Sequence, residues 1–374
     1  MAWMHRRPSL SLSKSPDTTL AKSNTELSPM REGKALRPSS HRVDGTNLLA
    51  SEIFWRDHYL QLMEKGYVLR RRYEPTWEAS WKSKDNNDSY WLYEDGQMIP
   101  EHGMLDATCT KDCQVVTLRR IPRGSATELQ THRHLLESAP DGVDLKAKDN
   151  IVPILDEFQF SDEDLDTIIV MPYLRPSSDP SCETVQDVVK FLESAFKGLQ
   201  YMHQCGVAHG RCNLPKCASI MMDPRPIFRE LPHFVNMQKS RDFKRDVKGS
   251  RAEAGDRVTY YWVNFAHAVS ERAAMKQPQR DDETAPQDAF AKDAFDLGSM
   301  VWSNFIEDTQ HLKFLIPLVQ SMKDLDASKR PDMDEVVKQF SELLHSLSPD
   351  DMKKKVSASS SGISDFLSGL LRKN

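Results

Sequence analysis

The sequence has little of what marks membrane, secreted or zinc-binding proteins. No apolar run approaches the roughly 20 residues of a membrane-spanning helix, and the basic segment 1–16 lacks the apolar core of a signal peptide. Its 6 cysteines in 374 residues are too few for a disulfide framework. The pairs Cys109/Cys113 and Cys212/Cys217 lack the histidines typical of a zinc site, so we predict no metal site. We expect a cytoplasmic protein, with the nucleus as the alternative location.

An excess of positive charge is also missing. Lys and Arg number 50 against 55 Asp and Glu, which gives a formal net charge of −5. This balance offers no electrostatic reason to bind nucleic acid, so nucleic acid is excluded from the expected partners. A chain of this length can bury a large core in one domain or in two closely joined domains.

The two ends of the chain lack the apolar periodicity of a folded domain. Residues 1–45 are rich in Ser, Pro, Lys and Arg and predict a disordered arm. Residues 347–374 predict a polar tail, in which an apolar stripe at 363–371 indicates a short amphipathic helix. We expect this helix to dock on its own domain or to fray. Weak contact with a membrane surface is the less favoured alternative.

Between these ends the pattern changes from strand-rich to helical. Alternating and β-branched runs predict strands at 115–118, 151–160, 166–171, 219–222 and 258–265. Apolar residues at three- and four-residue steps predict helices at 47–66, 127–137, 184–206, 293–308, 311–322 and 333–346. The order predicts an α+β, two-lobed domain over 46–346, with a strand-rich N-lobe over about 46–171, a hinge at 171–176 and a helical C-lobe over 177–346.

Four segments, in order along the chain, resemble motifs of the protein kinase superfamily. Residues 170–174 (Val-Met-Pro-Tyr-Leu) resemble the hinge between the lobes, and residues 198–203 (Gly-Leu-Gln-Tyr-Met-His) resemble the G-L-x-x-L-H before the catalytic loop. Residues 293–298 resemble the D-x-W-S-L-G of a central helix, and residues 330–335 resemble R-P-T-x-x-E. The resemblance covers about residues 50–345 and implies a two-lobed kinase fold, with scaffold roles for Asp293 and Arg330.

Within the superfamily, the catalytic segment resembles a divergent fungal kinase-like group. That group carries V-A-H-R-D-C and N-I-M-M-D, and the counterparts here are 207–209 (Val-Ala-His) and 220–223 (Ile-Met-Met-Asp). A charged, proline-containing stretch at 224–256 predicts an insertion after this segment.

The resemblance also indicates candidate nucleotide-binding residues. Arg119 stands in place of the phosphate-anchoring lysine, and Glu128 in place of its helical partner, although guanidinium and ammonium are not equivalent at such a site. Met171 corresponds to the gatekeeper, and the Pro172 carbonyl and Leu174 amide would meet adenine. No glycine-rich loop is present between residues 90 and 118, where we expect an ordinary hairpin.

The carboxylates that phosphoryl transfer requires are missing. No Asp or Glu lies between residues 209 and 222, and the D-F-G aspartate is replaced by asparagine, which disfavours Mg²⁺ binding. The degenerate catalytic positions are His209, Gly210, Arg211, Ser219 (or Lys216) and Asn264.

These observations predict a pseudokinase that serves as an interaction scaffold or regulator of protein partners. Two alternatives stay open at this point. One is a divergent, active Ser/Thr-type kinase that uses ATP and Mg²⁺, which the family resemblance alone would suggest. The other is a nucleotide-binding switch without turnover, with ATP bound weakly and without metal through the hinge backbone.

Overall fold

The computed structural model describes residues 46–356 except 83–88, 100–102, 139, 141, 143, 161–165, 214–217, 271–285 and 308. These residues belong to one compact unit, Asp44–Asn374. The predicted arm at 1–45, the apolar stripe at 363–371 and Lys216 lie outside the described residues.

The N-lobe is built on an antiparallel sheet of five strands in the order β1-β2-β3-β5-β4. The strands are β1 (Tyr67–Leu69), β2 (Met104–Cys109), β3 (Val115–Ile121), β4 (Asp156–Phe158) and β5 (Thr167–Pro172). The sheet is curled, because its two edge strands meet through side chains. The Tyr67 hydroxyl donates a hydrogen bond of 2.7 Å to Asp156, and the Tyr67 ring stacks on the Phe158 ring at 5.8 Å between centroids.

Helices cover both faces of this sheet. The outer face packs on α1 (Ala50–Asp57) and α2 (Tyr59–Glu64), and α3 (Ala126–Glu137) lies on the C-lobe side. The single helix expected over 47–66 is wrong. At His58 the backbone leaves the helical range, the ring bonds to the Phe54 carbonyl at 2.8 Å, and α2 then begins.

The C-lobe is organised around the long helix α5 (Val185–Gln204), as the sequence predicts. Its capping box is complete, since the Thr184 hydroxyl accepts from the Asp187 amide at 3.2 Å and the Asp187 carboxylate accepts from the Thr184 amide at 2.9 Å. Gly206, with φ +70°, follows its last turn. The apolar stripe of α5 is buried at the centre of the lobe.

The remaining elements complete the C-lobe. The helices are α4 (Leu145–Lys148), α6 (Arg251–Ala254), α7 (Pro286–Val301, continued by a π-turn at Trp302–Ile306), α8 (Ile316–Met322), α9 (Met333–His345) and α10 (Pro349–Met352). The strands β6 (Arg175–Pro176), β8 (Ile220–Met222) and β9 (Tyr260–Trp262) form one small sheet, and β7 (Val207–Ala208) pairs with β10 (Val269–Ser270). The strands expected over 151–160 and 258–265 are shorter than predicted. The α+β, two-lobed fold class is confirmed.

Candidate functional site

The candidate site is the cleft between the N-lobe sheet and the C-lobe. Because side chains alternate along a strand, Thr117, Arg119 and Met171 lie on the sheet face opposite the one that packs on α1 and α2. The Arg119 guanidinium forms an ion pair with Glu128 of α3. This face, called the cleft face below, is the one on which the kinase resemblance would place a nucleotide.

A cluster of three rings joins α3 to the C-lobe, with one tilted and one edge-to-face contact. The Phe265 ring lies 4.8 Å from the His132 ring and 5.9 Å from the His209 ring, between centroids. His132 bonds through Nε2 to the Val152 carbonyl at 2.7 Å, and His209 bonds to the Val263 carbonyl at 3.0 Å. Burial lowers the pKa of His132 to about 4 and also lowers the pKa of His209. Both imidazoles are therefore neutral at physiological pH.

A buried aspartate of α7 holds the segment that corresponds to the catalytic loop. Asp293 accepts hydrogen bonds from the His209 amide at 2.6 Å, the Gly210 amide at 2.9 Å and His203 Nε2 at 3.2 Å. Burial alone would raise the pKa of Asp293, but the histidines and the loop amide outweigh it and hold this pKa below its usual value. The carboxylate is therefore ionised and committed to the loop backbone.

The loop backbone requires glycine at position 210, directly after His209. Gly210 has a φ of +77°, and a Cβ there would lie 2.4 Å from the His267 carbonyl oxygen. No other residue type fits this backbone without movement of the chain. Arg211 follows with an exposed side chain, and its amide lies 3.3 Å from His209 Nδ1.

The positions that correspond to metal ligands carry neutral side chains. The hydroxyl of Ser219, which is buried, donates to the Arg211 carbonyl at 2.5 Å. Asn264 has a left-handed backbone, with φ 66°, and introduces the 3-10 turn that follows β9. Asp296, the other buried acid of α7, pairs with Lys292. Neither Ser219 nor Asn264 offers the carboxylate that Mg²⁺ favours.

Two aspartates that are near the loop in sequence also form ion pairs. Asp223 forms an ion pair of 2.5 Å with Arg225. Asp256 pairs with Lys190 of α5 and accepts from Gln186 at 3.2 Å. Both carboxylates therefore have partners outside the loop that runs from His209 to Ser219.

The connection from β1 to β2 spans residues 70–103 and contains no glycine-rich loop. Its described part folds around Asp95, whose carboxylate accepts from the Trp77 indole at 2.9 Å and from the Ser80 amide at 3.0 Å. Arg72 ties it to α1 through Glu52 at 2.8 Å, with both side chains fully buried. The hairpin expected over 90–118 is thus confined to β2 and β3.

The cleft face of β2 carries a buried acid, Asp106, paired in register with Thr117. Arg70 donates through Nε to Asp106 at 3.0 Å and through Nη1 to Glu94 at 3.3 Å. The side chains of Arg70 and Asp106 are 5% and 2% exposed. Because a buried charge is costly without a partner, this network is part of the folded N-lobe, and it occupies the cleft face.

The insertion at 224–256 reaches the same face from the C-lobe side. Arg241 donates to the Thr108 hydroxyl at 3.1 Å, and its Nη2 lies 3.9 Å from the Asp106 carboxylate. His233 Nε2 lies 3.3 Å from the Glu94 carboxylate. The insertion therefore lies against the part of β2 that faces the cleft.

The hinge holds the base of this insertion. The Tyr173 hydroxyl donates to the Pro232 carbonyl at 3.0 Å, and the buried Arg175 donates to the Met237 carbonyl at 2.9 Å. At the other end of the insertion, the buried Arg251 donates to the carbonyls of Ser177 and Pro180, just after the hinge, at 2.6 and 2.8 Å. Hydrogen bonds thus hold both ends of the insertion against the hinge and the residues that follow it.

The hinge groups expected to meet adenine are not gathered around an open cleft. Met171 lies on the cleft face, but Pro172 lies on the opposite face and Leu174 is buried in the C-lobe core. A cavity of about 590 Å³ lies beside the hinge and is lined by Pro172, Tyr173 and Val116, among others, and by Arg225 and Leu231 of the insertion. It does not include Arg119, Glu128 or Met171.

The predicted scaffold residue Arg330 has backbone partners. It donates to the Asp324 carbonyl at 2.8 Å and to the Ala291 carbonyl at 3.2 Å, and its guanidinium lies 4.8 Å from the centre of the Phe295 ring. It therefore joins α7 to the turn before α9.

Within the described ranges, no group of three or more His, Cys, Asp and Glu side chains is placed to hold a metal ion. None of the helices in those ranges is both long enough and apolar enough to cross a bilayer.

No family model and no curated protein matches the chain. Among solved structures, it is similar to the Rad53 kinase domain with SCD2, at 12% identity and a TM-score of 0.40, over 72% of this chain and 95% of that chain. It is also similar to the kinase domain of PF14_0431, at 11% identity and a TM-score of 0.39, over 65% of this chain and 93% of that chain. The chain has a two-lobed α+β fold, with a strand-rich N-lobe, a hinge and a helical C-lobe.

Sequence reasoning missed the residues that fill the cleft face. Asp106 carried a signal, because it is a charged residue between the apolar Leu105 and Ala107 of a strand. The sequence gives no such signal for His233 and Arg241, because the insertion has no periodic pattern that would indicate which of its side chains contact the N-lobe.

Proposed function

We propose that this protein is a pseudokinase, which does not transfer phosphate and acts as a scaffold or regulator by binding protein partners. The observation that carries the proposal is the catalytic loop. It has no carboxylate between residues 209 and 222, and its backbone is fixed around Gly210 by Asp293.

The size of the catalytic deficit supports the same conclusion. Phosphoryl transfer relies on positioning and on preorganised charge, and the loss of one such group typically lowers the rate by about 10²–10³. Here the acid that orients the acceptor and both metal-ligand positions are changed together. The buried acids of α7, Asp293 and Asp296, already have partners. Restoring transfer would require several new groups at once.

The two alternatives, an active kinase and a nucleotide switch, both need an accessible cleft face. Asp106, Arg70 and Arg241 lie on this face. A nucleoside triphosphate placed there would have to displace a guanidinium and approach a buried carboxylate of its own sign. This arrangement favours the scaffold over both alternatives.

Thermal unfolding with ATP or ADP, with and without Mg²⁺, tests the proposal, because a ligand that binds only the folded state raises the melting temperature. We expect no rise and no ³²P incorporation into a generic Ser/Thr substrate. The variant Asn264→Asp, which restores one acid, should be equally inactive. A rise without metal would favour the switch, and a Mg²⁺-dependent rise with ³²P incorporation would refute the pseudokinase.

A further inference from the structure

Residues 232–246 of the insertion, called the clasp segment below, bridge the two lobes. We infer that this segment takes the place of a nucleotide in the cleft and holds the N-lobe sheet against the hinge without any ligand. The inference rests on the proposed function, because a permanent occupant is compatible only with a cleft that no longer turns over nucleotide.

The upper contacts of the clasp segment are with side chains of the N-lobe. Arg241 reaches the Thr108 hydroxyl at 3.1 Å and approaches Asp106 at 3.9 Å. His233, which is 1% exposed, lies within 3.3 Å of both Glu94 and Arg70. These residues belong to β2 and to the β1–β2 connection.

The tautomer of His233 follows from its other ring nitrogen. Nδ1 accepts hydrogen bonds from the amides of Val235 and Asn236 at 3.2 and 3.1 Å. A neutral ring then carries its proton on Nε2, which lies 3.3 Å from the Glu94 carboxylate. The segment thus presents a donor to Glu94, just as Arg241 presents donors to Thr108.

The clasp segment is itself ordered by internal hydrogen bonds. The Ser240 hydroxyl donates to Asp242 at 2.6 Å, the Ser240 amide donates to the Arg245 carbonyl at 2.8 Å, and Ser240 is fully buried. The His233 and Phe243 rings meet edge to face at 5.4 Å. Because the segment is structured, little entropy remains to be lost when it contacts the N-lobe.

The lower contacts are with the hinge, through Tyr173 and Arg175. A hinge that binds the same segment as β2 cannot open freely, since opening would break these bonds together. Charge acts in the same direction, because the Asp106 carboxylate attracts the Arg241 guanidinium and repels an anionic ligand. The clasp segment therefore fits this cleft better than an anionic ligand does.

Hydrogen exchange tests the inference. In one variant, residues 232–246 are replaced by a Gly/Ser linker of the same length, and amide exchange is followed in β1, β2 and β3 by mass spectrometry. We expect exchange in β2 to be at least tenfold faster than in the wild type, with far-UV circular dichroism unchanged. The matched control is Arg245→Gln, which removes an exposed arginine of the same segment whose side chain pairs with Glu230, another residue of the insertion, and should leave exchange unchanged.

A milder variant decides the question if the linker variant does not fold. Arg241→Gln combined with Tyr173→Phe removes one contact at each end of the segment and should speed exchange in β2 by about threefold or more. Wild-type exchange in β2 in either folded variant would overturn the inference. ³²P transfer by the wild-type protein would refute the proposed function instead, and the exchange result would still decide whether the segment clasps the lobes.

Discussion

The buried ion pair of Asp106 and Arg70 allows the contribution of the cleft network to be measured. We expect Asp106→Ala to lower the free energy of unfolding by about 3 kcal/mol, because removal of one partner of a buried pair typically costs about 3–5 kcal/mol. The pair is 3.0 Å long, and its side chains are 5% and 2% exposed. The lower end of the range applies because Arg70 keeps Glu94 at 3.3 Å and the Gln97 carbonyl at 3.1 Å.

Urea unfolding followed by tryptophan fluorescence measures this change. The double variant Arg70→Met, Asp106→Leu removes both charges of the pair together, and Glu94 then keeps the His233 ring as its partner. It should recover most of the loss, to within about 1 kcal/mol of the wild type. A control for the loss of an arginine is Arg229→Gln, since that side chain is 88% exposed and its removal should have no measurable effect.

Two results would refute the reasoning. A loss below about 1 kcal/mol for Asp106→Ala would mean that solvent or other groups stabilise Arg70 without its partner. A double variant as unstable as the single one would mean that the defect comes from lost packing and not from an unpaired charge.

Two further predictions concern Gly210 of the loop and His132, which packs against the Phe265 ring. Gly210→Ala should lower stability by about 2 kcal/mol or more, because φ is +77° and the new Cβ meets the His267 carbonyl. Gly124→Ala, which meets no atom within 4 Å, is its control, and equal melting temperatures would contradict the prediction. Because the pKa of His132 is about 4 in the folded protein against 6.5 for a free histidine, the unfolded state binds the proton more readily. Stability should therefore be full above pH 6.5 and fall by on the order of 3 kcal/mol towards pH 4. His132→Gln, which keeps a donor for the Val152 carbonyl, should flatten this decline, and an unchanged slope would assign it to other groups.

The sequence was a good guide where a local pattern coincides with the final packing. Helix α5 is defined by the Thr184–Asp187 capping box, its apolar stripe and Gly206, all of which act within a few residues. The order of strands, hinge and helices follows from such patterns as well, and so does the two-lobed fold class. Boundaries were less accurate, because tertiary contacts shortened β9 and divided the first helix at His58.

The sequence by itself also determined that residues 209–222 contain no carboxylate and that Asn stands at position 264, since such absences are visible without coordinates. Only the tertiary structure decided which charged side chains lie at the cleft face. Arg70, Asp106 and Arg241 are separated by up to 171 residues along the chain, and their pairing depends on how β1, β2 and the insertion pack together. Electrostatic pairing acts over distances in space, and the local periodicity that reveals helices and strands carries no information about it.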